Sequence, residues 1–163
     1  MVYFVNRYAP NSELYPKDPQ KRAIVDRVLQ FDLGTLYRAL GDYLAPILSE
    51  GKTLKDLSPI NEKKLKEALN LLDRSLSQHP YVAGDHLTLA DLSILASLSF
   101  GEIFDFDISE YKNVTEWSNR LKTQLPYYDE INREPIQMFK NYVKAKAMES
   151  NQKMNGGMNN GTN

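Results

Sequence analysis

The chain has 163 residues and no cysteine. Disulfide frameworks and thiolate chemistry are therefore excluded, and a reducing compartment is permitted. Histidine is nearly absent as well. The only two, His79 and His86, sit seven positions apart in a loop without a third ligand, which is not a metal-binding pattern. No apolar run is long enough to cross a bilayer. The opening "MVYFVNRYAP" lacks a basic leader and a small-residue cleavage site, so no signal peptide is expected. An excess of one charge is also missing. Lys and Arg number 20 against 21 Asp and Glu, so neither nucleic acid nor an anionic membrane is expected as a partner. The basic run Lys63, Lys64 and Lys66 has no interleaved aromatics and reads as a solvated face. No strand pattern and no internal repeat stands out.

What is present is the balance of a globular protein, 42% hydrophobic and 25% charged, long enough for one domain with its own core. Helical periodicity runs through it. Residues 1–10 resemble the last turns of a preceding helix, with Val2, Val5 and Tyr8 on one side. "NSELYPKDP" is a linker with turn residues. Asp18 and Pro19 open a long helix carrying Val25, Val28, Leu29, Leu36, Leu40, Leu44 and Ile47. Gly34, Gly41 and Pro46 interrupt it and suggest a bend or a close approach. Ser58 and Pro59 open a second helix, whose stripe is Leu65, Ala68, Leu69, Leu72 and Leu76. A third, from Leu89, is apolar all round and so central. A fourth is marked by Val114, Trp117 and Leu121. A fifth follows Pro135, with Ile136, Phe139 and Val143. Residues 126–134 are expected to be a turn or short helical piece, because Pro135 breaks any continuous helix. The pattern predicts an all-α bundle of about five helices over 11–148, followed by a disordered polar, glycine-rich tail over 149–163.

One stretch carries two polar groups into an apolar helix: "YVAGDHLTLADLSILASLSF", Tyr81 to Phe100. Thr88 fits the N-cap, and Asp91 is then the third helical residue. The carboxylate can reach back to the Thr88 amide while the hydroxyl serves the Asp91 amide, and Leu87 and Leu92 can close as a hydrophobic staple. Such a cap is worth roughly 0.5–2 kcal/mol. Catalysis would need an acid–base partner that the stretch does not show. Asp105 and Asp107 in "FDFD" read as a loop after a helix. Trp117 reads as a packing anchor.

"YVAGDHLTLADLSILASL" resembles the capping signature in the C-terminal domain of cytosolic glutathione S-transferases. "YFVNRYAPNSELYPKDPQKRAIVDRVLQFDLGTLYRAL" is similar to the domain junction and first long helix of the insect delta and epsilon classes, and "NVTEWSNRLKTQLPYYDEIN" to their later helix and turn. The resemblance runs from Met1 to about Ala147. It implies a helical domain that binds a hydrophobic electrophile, in a cytoplasmic enzyme of detoxification. Glutathione would be the co-substrate, held and activated by a separate thioredoxin-like domain that this chain lacks. No catalytic residue, cofactor or metal is then expected here, and the chain alone should be inactive. Ser12, Ser49 and Ser58 belong to loops or caps and do not replace the missing serine. The resemblance places Tyr37, Leu40, Gly41, Leu44 and Ala45 at the electrophile pocket. Phe31, Tyr37 and Tyr43 near two glycines would suit an aromatic wall, although an aromatic stripe at helical spacing also fits plain core. Family members form homodimers through both domains. A non-enzymatic interaction module, as in translation elongation factor gamma subunits, is the other reading of the same resemblance.

Overall fold

Short-range caps at Asp18, Ser58 and Thr88 start three of the helices in this chain. A computed structural model describes the backbone of residues 1–157 and the side chains of residues 1–146. Helix α1 spans Val2–Tyr8. Beyond the linker, α2 spans Pro19–Phe31; the Asp18 carboxylate accepts from the Lys21 amide at 2.9 Å, and Pro19 occupies the first turn, where a missing N–H is harmless. A π-type turn, Asp32–Leu36, leads into α3, Tyr37–Ser49. α4, Pro59–Leu76, starts in the same way with Ser58 and Pro59, Ser58 Oγ accepting from the Asn61 amide at 3.4 Å. α5 spans Leu89–Ile103, α6 Lys112–Gln124 and α7 Glu134–Gly157. Among the described residues there is no strand, only an isolated bridge between Tyr81 and Gly84. The fold is an all-α bundle.

α5 is the central element. It packs against α2, the first π turn, α3 and α7, while α4 packs against α3 and α6. Its surroundings explain its sequence: Leu89, Ile94 and Ser99, successively about 140° apart around the helix, are all buried, so no polar face is needed. Leu36, Leu40 and Leu44 of the long helix, Leu65 and Leu69 of α4, and Val114, Trp117 and Leu121 of α6 belong to the same buried core. α6 has no cap of its own. Its first amides are served by Asp73 of α4, whose Oδ1 accepts from Asn113 N at 2.8 Å and Val114 N at 3.1 Å.

The long helix meets the expectation at Gly34, which lies inside its irregular turn, and departs from it elsewhere. It does not break at Gly41, where the helix is regular and an added Cβ would meet nothing within 4 Å. The irregularity sits at Asp32–Leu36, where the Tyr37 N–H bonds Asp32 O, five residues back. Apolar spacing explains this. Val28, Asp32, Leu36, Leu40 and Leu44 recur every four residues, and each step of four overshoots a helix turn by about 40°. One widened turn absorbs the drift. Pro46 is also accommodated. It leaves the Asp42 carbonyl without its helical donor, and Asn61 Nδ2 of α4 supplies one at 3.0 Å. Pro135 likewise does not interrupt the helix. A second π turn, Asp129–Arg133, runs directly into α7, and the widened turn makes room for the proline ring. α7 continues to Gly157, past the point at which the tail was expected to begin; Lys144 to Met148 are strong helix formers with no proline among them. The remainder of that tail, 158–163, lies outside the described residues.

Candidate functional site

The exposed face of α3 forms one wall of a groove. Tyr37, Gly41 and Ala45 follow one another at intervals of four, and with Leu33, Arg38, Asp42 and Phe100 they line a cavity of about 550 Å³. Gly41 adds no side chain and Ala45 only a methyl, so the helix backbone forms the floor. Arg38 and Asp42 pair at the rim at 3.6 Å, an exposed contact of small energetic weight. Phe100 closes the far side and is held edge-on to Phe104, with ring centroids 5.2 Å apart.

A smaller cavity of about 330 Å³ shares Leu33 and Tyr37 with the first, so these two exposed side chains form a ridge between them. Its polar members are Asp32, Ser93 and Ser97. Ser93 Oγ donates to Asp32 Oδ2 at 2.5 Å. Asp32 is only 4% exposed, and its Oδ1 is buried with no partner among the described residues. The sequence reading missed this group. Its signal was a carboxylate at an apolar-stripe position between Val28 and Leu36.

The resemblance-based pocket set divides. Tyr37, Gly41 and Ala45 line the groove. Leu40 and Leu44 do not: they are buried in the core, along a face turned by about 100° from the first. The expected aromatic wall reduces to Tyr37. Tyr43 is buried edge-on to Phe106 at 5.9 Å, and Phe31 packs against the core. Phe100 and Leu33 complete the groove and were not anticipated; both are apolar residues that nothing in their local spacing separates from core.

At the start of α5, Thr88 and Asp91 form a capping box. Asp91 Oδ2 accepts from the Thr88 amide at 2.8 Å and from the Thr88 hydroxyl at 3.0 Å. Its other oxygen accepts from the Val82 amide at 3.0 Å and from Trp117 Nε1 at 3.1 Å. Both carboxylate oxygens are satisfied in a fully buried position, which leaves neither free for acid–base work. Trp117 is thus a hydrogen-bonding partner as well as a packing residue. Leu87 and Leu92 are half-buried against the core.

The remaining candidates have structural partners. Ser12 Oγ accepts from the Leu14 amide, Ser49 Oγ donates to the Ala45 carbonyl, and Ser58 is the α4 cap. Asp105 adopts a left-handed turn, φ 55°, and pairs with Lys140. Asp107 Oδ1 accepts from the Ser109 amide at 2.8 Å, a bond that lowers its pKa. His79 Nδ1 stands 3.6 Å from Asp85 Oδ1. Among the described residues no group of three or more potential ligands is placed to hold a metal. No described helix is long and apolar enough to cross a membrane.

An all-helical bundle with a polar-capped central helix and a groove beside a helix with a π turn defines the class: a helical-bundle domain with an open groove. Comparison makes it specific. The glutathione S-transferase C-terminal domain profile matches residues 20–124. The chain is 39% identical to glutathione S-transferase D6 of Drosophila melanogaster over 149 residues, 91% of this chain and 67% of that protein. It superposes on a delta-class glutathione transferase of Nilaparvata lugens with TM-score 0.81 and 42% identity, covering 88% of this chain and 66% of that one. An epsilon-class enzyme from the housefly Musca domestica gives 0.76 and 32%, covering 88% and 65%. The chain belongs to the glutathione S-transferase family and corresponds to its C-terminal helical domain. It spans about two thirds of the length of these relatives.

Proposed function

We propose that this chain supplies the electrophile-binding wall of a cytoplasmic glutathione transferase of delta or epsilon type. Glutathione, the co-substrate, would be held and activated by a thioredoxin-like domain outside these 163 residues, and the complete enzyme would act as a homodimer in detoxification. The observation that carries this reading is the groove itself: an apolar floor at Gly41 and Ala45, flanked by Tyr37 and Phe100, large enough for a small aromatic molecule. Tyr37, Gly41 and Ala45 are the proposed contacts. Leu40 and Leu44 support them from behind.

The same groove explains why the chain alone would not catalyse. An ordinary thiol has a pKa of about 8.5, so free glutathione is mostly protonated at neutral pH. Conjugation requires a thiolate placed against the electrophile. The groove offers a surface for the electrophile, and the thiolate would be held and placed by the other domain. With glutathione and a chlorodinitrobenzene, the purified chain should match the uncatalysed rate. A fusion placing the N-terminal third of the Nilaparvata lugens relative before Met1 should restore turnover, and Gly41→Leu in that fusion should raise KM for the aromatic substrate. Turnover proportional to the concentration of the chain alone would refute the reading.

A further inference from the structure

A separate cavity of about 470 Å³ shares no residue with the groove. Its size falls in the range of small-molecule sites. Four segments build it: the linker, α2, the end of α4 and the loop before α5. All are tied down. Leu14 O accepts from the Leu89 amide at 2.9 Å, Arg22 Nε donates to Pro16 O at 2.8 Å, and the Tyr15 hydroxyl donates to Asp26 at 2.8 Å. The loop is closed by the paired bonds between Tyr81 and Gly84 and anchored by the Val82 amide on Asp91. The cavity therefore exists before any ligand arrives, which lowers the cost of binding.

Its chemistry has three parts. The apolar part is Ile24, Val25, Val82 and Ala83, of which Ile24 is 41% exposed. The cationic part comes from α2, as Lys21 and Arg27. The acidic part comes from elsewhere, with Glu13 on the linker and Asp85 on the loop, the latter 3.6 Å from His79, which with His86 also lines the cavity. Among the described residues the side chains of Lys21, Arg27 and Glu13 make no ion pair, although they border one cavity. We propose that this cavity binds a small zwitterion with an apolar body, of the kind presented by a short apolar peptide with free ends. The carboxylate would meet Lys21 and Arg27, the ammonium Glu13 and Asp85, and the apolar body would cover Ile24, Val82 and Ala83. A simple organic anion would bring its charge toward Glu13 and Asp85 as well, and a neutral molecule would leave Lys21, Arg27 and Glu13 unmet.

The test is an amide chemical-shift titration of the whole chain with leucyl-leucine, its N-acetyl form and its C-terminal amide. Saturable shifts at Ile24, Ala83 and Gly84 are expected with the free peptide. Blocking either end should weaken binding by about tenfold or more, as should Lys21→Glu or Glu13→Lys. Lys63→Glu, on the exposed face of α4, should leave binding unchanged, and circular dichroism checks that each variant is folded. Lys21→Ala serves if a reversal unfolds the chain. Equal binding of the N-acetyl form would overturn the proposal in favour of an anion site. Shifts centred on Gly41 and Phe100, or no saturation, would overturn it outright.

Discussion

Two aspartates lie buried in this bundle, and they are treated differently. Asp91, fully buried, receives four hydrogen bonds from three residues. Asp32, 4% exposed, receives one, and one of its oxygens has no partner among the described residues. A buried carboxylate is tolerated when its lone pairs are filled, and each missing partner is costly. The first aspartate therefore belongs to the architecture. The second borders a groove, where the fold leaves a polar group incompletely satisfied, as functional surfaces often do.

The contrast breaks most easily at Asp91. Asp91→Ala should destabilise the chain by about 3 kcal/mol or more, because it strands the buried Val82 amide, the Thr88 amide and the Trp117 indole N–H together. Denaturant midpoints of mutant and wild type measure this. A loss below about 1 kcal/mol would show that water replaces the carboxylate and that the network is not a keystone.

Burial without charge compensation is next. The Tyr128 phenol is pushed up to about 12 by burial first and by the nearby Glu102 carboxylate second. Burial raises Tyr111, Tyr15 and Tyr43 too, reinforced by Glu110, Asp26 and Glu62 respectively. A raised phenol pKa favours the neutral form in the fold. Its stabilisation is complete below the unfolded value of about 10 and is lost as pH climbs from there toward 12. Phenolate absorbance and helical circular dichroism followed through this window should show these four phenols ionising only as helix is lost. Their ionisation near about 10 with helix intact would contradict this.

A smaller effect, of opposite sign, is expected at the groove. Gly41 lies in a regular helix, and its missing Cβ would clash with nothing. Gly41→Ala should therefore raise stability by about 0.5–1 kcal/mol while narrowing the groove. A destabilised variant would mean that Gly41 has a structural purpose.

The smallest change is expected at Asp32. Asp32→Asn trades a charge-assisted bond from Ser93 for relief of an under-solvated carboxylate, so stability should shift by less than about 1 kcal/mol. Thermal melts of Asp32→Asn beside Asp91→Asn sharpen the comparison. Equal losses would erase the distinction between the two aspartates.

Much of this was legible in the order of residues, and the reason is range. Caps at Asp18, Ser58 and Thr88 bond amides three positions on or are bonded back from there, and apolar stripes repeat every three or four residues, so both appear as spacing. That was enough for the helices, the all-α class and Asp91 as a cap. Tertiary structure decided which side of each helix met which neighbour. Asp73 caps α6 from 40 residues away, Trp117 bonds Asp91 from 26, and Ser93 bonds Asp32 from 61. Leu40 and Tyr37 look equally suited to a pocket until α5 covers one and leaves the other in the open. The sequence determined where helices start and which stripes are apolar, because those are local energies. The groove, its ridge and the unmet oxygen of Asp32 arose only when the helices packed, because a side chain's burial and partners depend on elements that share no local spacing with it.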